Sequence, residues 1–245
     1  SLLGAALVIF GWVDDDVSLG RTIVVPLHLA NTFFLLGALT LTAWWGSGRP
    51  VPSRSWRSSS FAWVMGGAVI IVVLGATGAL NALADTIFPS DTVGGDLADK
   101  FGPTAPMLSR LRIIHPVVAV VGGMAVAWIA TSNSRRASAT TRVAASGVTW
   151  VVLSQMFIGI ANIYFFTPIS IQLIHLAVAD IMWIVYVVFA ASLMGEREWA
   201  PAQGGIEHFA LGRGDETVDL NCFSKEPPGE RGSAIAQSIE FLPAE

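Results

Sequence analysis

Three histidines stand inside long apolar stretches of this 245-residue chain: His28, His115 and His175. A fourth, His208, lies in a polar stretch near the C-terminus and is given no role. An imidazole placed in hydrocarbon is expensive unless it has a partner, so each of the three is a candidate functional residue. A neutral ring carries a lone pair on one nitrogen and a proton on the other, and can therefore ligate a metal through one edge while donating a hydrogen bond from the other. Two such rings, one from each of two membrane helices at a common depth, suit the two axial positions of a haem iron. A ring that merely hydrogen-bonds a carbonyl on a neighbouring helix is the competing explanation, since membrane helices do this too.

The elements that hold these residues follow from composition. Hydrophobic residues make up 53% of the chain, charged residues 13%, and the mean hydropathy is +0.62, which excludes an ordinary soluble domain. About 20 apolar residues cross a bilayer as a helix. Five segments qualify: Thr22 to Trp45, Phe61 to Ala84, Leu111 to Thr131, Ser146 to Phe166 and Ile169 to Met194. A sixth, Ser1 to Val13, is too short to span and ends at Asp14-Asp15-Asp16, as expected of a helix whose first part is missing. The connection from Trp45 to Phe61 carries Arg49, Arg54 and Arg57, and that from Thr131 to Ser146 carries Arg135, Arg136 and Arg142. Those after Val13 and after Ala84 are acidic. The excess of Arg puts the first two on the cytoplasmic side. The net charge of −4 decides nothing about orientation, and the lone Cys222 forms no disulfide within the chain.

With that orientation, the three histidine-bearing helices all run inward. Each histidine sits about four to seven residues from the outer end, roughly 6–10 Å deep. The sequence also repeats. Leu2-Leu3-Gly4-Ala5-Ala6-Leu7-Val8-Ile9-Phe10 resembles Phe157-Ile158-Gly159-Ile160-Ala161-Asn162-Ile163-Tyr164-Phe165, and each leads to a helix bearing His-Leu-Ala, at His28 and at His175. The first two helices thus correspond to the last two. The intact protein is expected to hold two four-helix units, eight helices in all, the first unit truncated in this chain.

His115 and His175 fall within one repeat, 60 residues apart, and are the natural pair for one iron. Arg110 and Arg112 stand at the outer mouth of the His115 helix, where guanidinium groups can pair with haem carboxylates or simply snorkel to the interface. Pro116 withholds a backbone N–H just after His115. Asp180 is expected to hydrogen-bond Gln155 or Asn162. The glycines at Gly66, Gly67, Gly75, Gly78, Gly122 and Gly123 read as close helix packing. Trp44, Trp45, Trp63 and Trp128 read as an interfacial belt.

Taken together, the repeated His-Leu-Ala unit, Thr77-Gly78-Ala79 leading to Asp85 and Phe88-Pro89, Arg112-Ile-Ile-His115-Pro116 and Gln172-Leu-Ile-His175-Leu-Ala-Val-Ala-Asp180 resemble the haem A synthase family. The resemblance runs from Ser1 to Met194. It implies that His115 and His175 bind a haem b cofactor, with Arg110 and Arg112 beside it. It further implies that His28 is the later member of a first-half pair holding the substrate, haem o, whose methyl group is oxidised to the formyl group of haem A. The partner of His28 and any catalytic carboxylate would precede Ser1, so no catalytic residue is assigned. The cysteine pair some members carry in an outer loop is missing between Asp85 and Ser109.

The sequence thus leads us to expect an all-α polytopic membrane protein built of tandem four-helix bundles. Residues 1–45 would end the first repeat, 46–60 form a cytoplasmic loop, 61–194 make the second, haem-binding repeat, and 195–245 a disordered cytoplasmic tail. The expected setting is a bacterial cytoplasmic membrane rather than a mitochondrial one. The expected partners are haem o, haem A, an electron donor, a haem o synthase, cytochrome oxidase subunits and the lipid bilayer, with no nucleic acid. The alternatives are a bis-histidine b-type cytochrome that only relays electrons, and a transporter with histidines on a proton path.

Overall fold

The computed structural model describes residues 2–12, 18–87 and 107–196, with the side chains of 107–113 outside that description. Among the described residues every regular element is a helix: α1 (Leu2–Ile9), α2 (Leu19–Gly46), α3 (Ser59–Ile87), α4 (Met107–Ser134), α5 (Ala139–Tyr164) and α6 (Ile169–Gly195). Five of them, α2 to α6, are long and apolar enough to cross a membrane, and the chain is a multi-pass integral membrane protein. The expected tail beyond Glu196, with His208 and Cys222, and most of the acidic connection from Ile87 to Met107 fall outside the described residues.

Helix ends explain where the observed spans depart from those expected. α5 begins seven residues before Ser146 because the Ser138 side chain accepts the Thr141 N–H, and a capped start lets the helix run out past the apolar stretch. α1 stops at Ile9 instead of Val13 because Gly11 turns left-handed (φ +67°). There Trp12 N–H bonds the Leu7 carbonyl and Gly11 N–H bonds that of Val8, a Schellman closure. The end of α5 closes in the same way, Thr167 N–H to Asn162 and Phe166 N–H to Ile163. Gly11 follows Gly4 by seven residues, as Phe166 follows Gly159, so the repeat seen in the sequence recurs in the backbone. In the second copy Phe166 (φ 60°) and Thr167 (φ 54°) hold a conformation that favours glycine.

α3, α4, α5 and α6 form a ring in which each helix packs on the next and α6 closes back on α3. α2 lies across α3 and α6, and α1 packs on α2. Among the described side chains of α4, α5 and α6, every buried residue lies between the histidines and the Arg-rich end, from Gly122, Val152 and Met182 onward. Phe33, Ile71, Val126, Val148, Tyr186 and Phe189 are the centre of this core. Two α6 side chains pin it. Trp183 stacks on Phe33 at 5.4 Å and donates its indole N–H to the Phe33 carbonyl, over the bare α-carbon of Gly37. Tyr186 donates to the Val64 carbonyl at 2.7 Å, over Gly67. Buried donors on large rings are thus satisfied by helix carbonyls that only a glycine notch lets them reach.

At the Arg-rich end the turn after α2 clasps the end of α6. Ser53 and Arg54 donate backbone N–H groups to the Met194 carbonyl, and the Arg54 guanidinium lies 3.7 Å from the Glu196 carboxylate. That carboxylate also accepts from the Ser138 N–H (2.8 Å) and the Thr141 hydroxyl (2.6 Å), which fixes the start of α5. Trp63 and Trp128 meet edge to face at 5.2 Å near this end, and Arg49 and Arg57 lie over Trp44 and Trp56.

The adjacent glycines of α3 separate packing from propensity. A Cβ on Gly67 would collide with the Tyr186 hydroxyl, whereas one on Gly66 would meet nothing within 4 Å. Gly67→Ala is expected to lower stability in detergent by roughly 1–3 kcal/mol, and Gly66→Ala to leave it unchanged or raise it by up to about 1 kcal/mol. Equal melting curves for the two variants would contradict this account.

Glu196 supplies a pH test. Burial raises its pKa, but the bonds from Thr141 and Ser138 and the charge of Arg54 outweigh burial and hold the carboxyl below its ordinary value. A lowered carboxylate pKa contributes stability above the ordinary value and loses it as pH falls through the lowered one. Between about pH 7 and pH 3 the native protein should therefore lose more thermal stability than Glu196→Gln does, with the loss concentrated below the usual carboxylate range.

Candidate functional site

The three histidines occupy equivalent places in three helical hairpins. His28 lies nine residues into α2, His115 eight residues into α4 and His175 six residues into α6. His28 and His115 stand somewhat further from their helix starts than expected because α2 and α4 begin earlier than their apolar stretches. Each ring points at a glycine on the preceding helix. A Cβ built on Gly4, Gly78 or Gly159 would lie 3.0, 3.1 or 3.4 Å from the Cε1 atom of His28, His115 or His175 respectively. A Cβ would crowd the ring at Gly4 and Gly78 and would just touch it at Gly159, so the rings are seated against bare backbone. A ring seated at Cε1 has its two nitrogens to either side of the contact.

The nitrogens are not equivalent from ring to ring. His115 Nδ1 lies 3.1 Å from the Thr77 hydroxyl oxygen, which is itself 3.0 Å from the carbonyl oxygens of both Val73 and Leu74. A threonine inside a helix donates its proton to such carbonyls and leaves a lone pair outward. A Thr77 that donates to either carbonyl accepts from an Nδ1–H on His115, which puts the lone pair of that ring on Nε2. His175 Nδ1 is buried and has no partner. His115 and His175 lie within electrostatic reach of each other, so that a charge on one is felt at the other.

Backbone carbonyls around the rings are also engaged. Gln155 Nε2 donates to the His175 carbonyl at 3.0 Å, and Thr32 donates to the His28 carbonyl at 3.0 Å. The expected bond from Asp180 to Gln155 or Asn162 does not form. The Gln155 amide is turned to His175 instead, and Oδ1 of Asp180, Oε1 of Gln155 and Oδ1 of Asn162 are buried without partners. The prolines fall beside the histidines as well, Pro26 in α2 and Pro116 in α4. Each removes one helix hydrogen bond near a ring.

His115 and His175 are thus brought together on helices of one ring, α4 and α6. His28 belongs to α2, outside that ring. The Arg110 and Arg112 side chains lie outside the described residues. Among the described residues no three of His, Cys, Asp and Glu gather as a metal-binding group. The arrangement offers two imidazoles, which is the donor set of an axially ligated iron and not of a closed zinc or calcium site.

The sequence reading missed what Thr77 and the glycines do. Thr77 drew notice only as part of a motif, and Gly78 only as a site of close helix packing. The signal available was the repetition itself: Gly4 and Gly159 align, and each precedes a histidine-bearing helix.

Comparison with known proteins adds the following. The family described as cytochrome oxidase assembly protein matches residues 1–187. Two curated relatives, both protoheme IX farnesyltransferases and each from a different strain of Thermus thermophilus, are 36% identical over 220 residues. The match takes in 89% of this chain and 35% of theirs, so the chain spans about a third of the length of these relatives. No solved structure matches it.

Proposed function

Because the chain belongs to the cytochrome oxidase assembly protein family, we propose that it is a haem A synthase-type membrane oxidoreductase, or the part of one that holds its haem b. In this reading His115 and His175 hold the iron of haem b, and His28 contributes to a second site that receives haem o. Arg110 and Arg112 meet the haem carboxylates. The observation that supports the reading is that His115 and His175 stand on two helices of one ring within electrostatic reach of each other, with the Thr77 hydroxyl 3.1 Å from His115 Nδ1. The buried, unpartnered Nδ1 of His175 suits a ring whose polar edge awaits a ligand or partner. The half-packed tier at the histidine level, beside a close-packed inner tier, suits a bulky planar guest.

Bound haem iron supplies electron transfer and oxygen-dependent oxidation of an otherwise unreactive methyl group. The chain supplies the rest. The glycine seats hold the imidazoles, the helices keep bulk water from the site, and Thr77 keeps a proton at His115 Nδ1 so that Nε2 is free. The setting we propose is a bacterial cytoplasmic membrane with the Arg-rich loops inside. There an electron donor, a haem o synthase and the oxidase subunits are the partners. The domain plan goes with it: a first repeat ending near residue 45, a haem-binding repeat over 61–194 and a tail beyond.

A second reading, prenyl transfer to haem, rests on the name of the relatives. Its diphosphate donor calls for carboxylates gathered about a divalent cation. Among the described residues Asp85, Asp180 and Glu196 stand on separate elements or far apart along one.

Single alanine variants test the proposal. His115→Ala and His175→Ala should each abolish the six-coordinate low-spin spectrum of the purified protein. His28→Ala should keep that spectrum while removing the haem A that forms when cells supplied with haem o express the gene. Retention of the low-spin spectrum in both His115→Ala and His175→Ala would overturn the assignment. Haem carrying a new farnesyl group, and no formyl group, would decide for the second reading.

A further inference from the structure

Beyond the ligand assignment, and resting on it, we infer that Thr77 is a positioning residue that makes His115 the more strongly donating of two unequal iron ligands. A ring that ligates through Nε2 must carry its proton on Nδ1, and here that proton faces the Thr77 oxygen at 3.1 Å. The Thr77 hydroxyl has one proton, and the carbonyls of Val73 and Leu74, each at 3.0 Å, are placed to take it. The hydrogen bonds therefore run in one direction, from ring to hydroxyl to helix carbonyl, and each polarises the next. Gly78, the very next residue, seats Cε1 of the same ring. Thr77 and Gly78 together fix both the rotation of the ring and its tautomer.

The other two seats have the glycine but not the hydroxyl. Leu3 precedes Gly4 and Ile158 precedes Gly159, and neither side chain bears an acceptor. His175 Nδ1 is without a partner. His115 thus has a hydroxyl at Nδ1 that His175 lacks, although the glycine seat recurs in all three. A hydrogen bond accepted from the outer nitrogen of a ligating imidazole raises its basicity and orients its plane. A more basic ligand favours the ferric over the ferrous iron.

The test is a redox titration of the haem in purified full chain, comparing wild type with Thr77→Val, Thr77→Ser and Gly66→Ala. Thr77→Val keeps the shape and removes the acceptor. It should retain a low-spin spectrum but shift its midpoint to higher potential, so that at the wild-type midpoint the ratio of oxidised to reduced haem falls several-fold. Thr77→Ser should restore the wild-type ratio, and Gly66→Ala, in open space on the same helix, should not alter it. A Thr77→Val protein with the wild-type midpoint would overturn the inference while leaving the ligand pair intact. A wild-type chain with no low-spin haem to titrate would overturn the ligand pair itself, and the inference with it. Should Thr77→Val reach the membrane without haem, a wild-type midpoint in Thr77→Ser supports the role of the hydroxyl. A Ser variant equally devoid of haem overturns it.

Discussion

The constraint that recurs in this molecule is the approach of an imidazole to a glycine α-carbon. It occurs three times, at Gly4, Gly78 and Gly159, always between a helix and the one that follows it. A methyl group at Gly4 or Gly78 would crowd the ring, and one at Gly159 would come into contact with it. The seats therefore limit how near the paired helices can lie and in which direction each ring presents its nitrogens. Glycine costs helix propensity, roughly 1 kcal/mol relative to alanine, and here that cost secures a polar ring in an apolar setting.

The seats need a rigid frame, and the inner tier supplies it. Trp183 and Tyr186 reach from α6 to the carbonyls of Phe33 and Val64, so one helix registers both α2 and α3. Glu196 and Arg54 tie the end of α6 to the start of α5 and to the turn after α2. With the inner end fixed in this way, the outer halves of α4, α5 and α6 can remain less closely packed around the histidines without loss of register. Close packing is thereby carried by one end of the helices and the candidate site by the other.

Much of this was legible in the sequence. Apolar length gave the five spans, because a bilayer imposes the same requirement of about 20 residues on each. The repeat of Leu2–Phe10 in Phe157–Phe165 anticipated two helix ends that close by the same Schellman bonds, at Gly11 and at Phe166. Three histidines on long apolar helices marked the candidate site. What the sequence did not disclose depends on rotation about helix axes. Gly66 and Gly67 look alike in the chain, yet one faces open space and the other lies under Tyr186. Gln155 was a reasonable partner for Asp180 until the helix hairpin placed it against the His175 carbonyl. Thr77 is a common residue in a membrane helix, and only its position opposite His115 Nδ1 distinguishes it.

The central claim is that two imidazoles of one helical ring, and no third, ligate a single iron. The most direct measurement is the haem content of the purified chain together with near-infrared magnetic circular dichroism of its oxidised form, which reads the axial ligands from the charge-transfer band. The account predicts about one tightly held haem per chain with two neutral imidazole ligands. A chain free of haem, or one whose iron carries a single imidazole opposite water or another side chain, would contradict it.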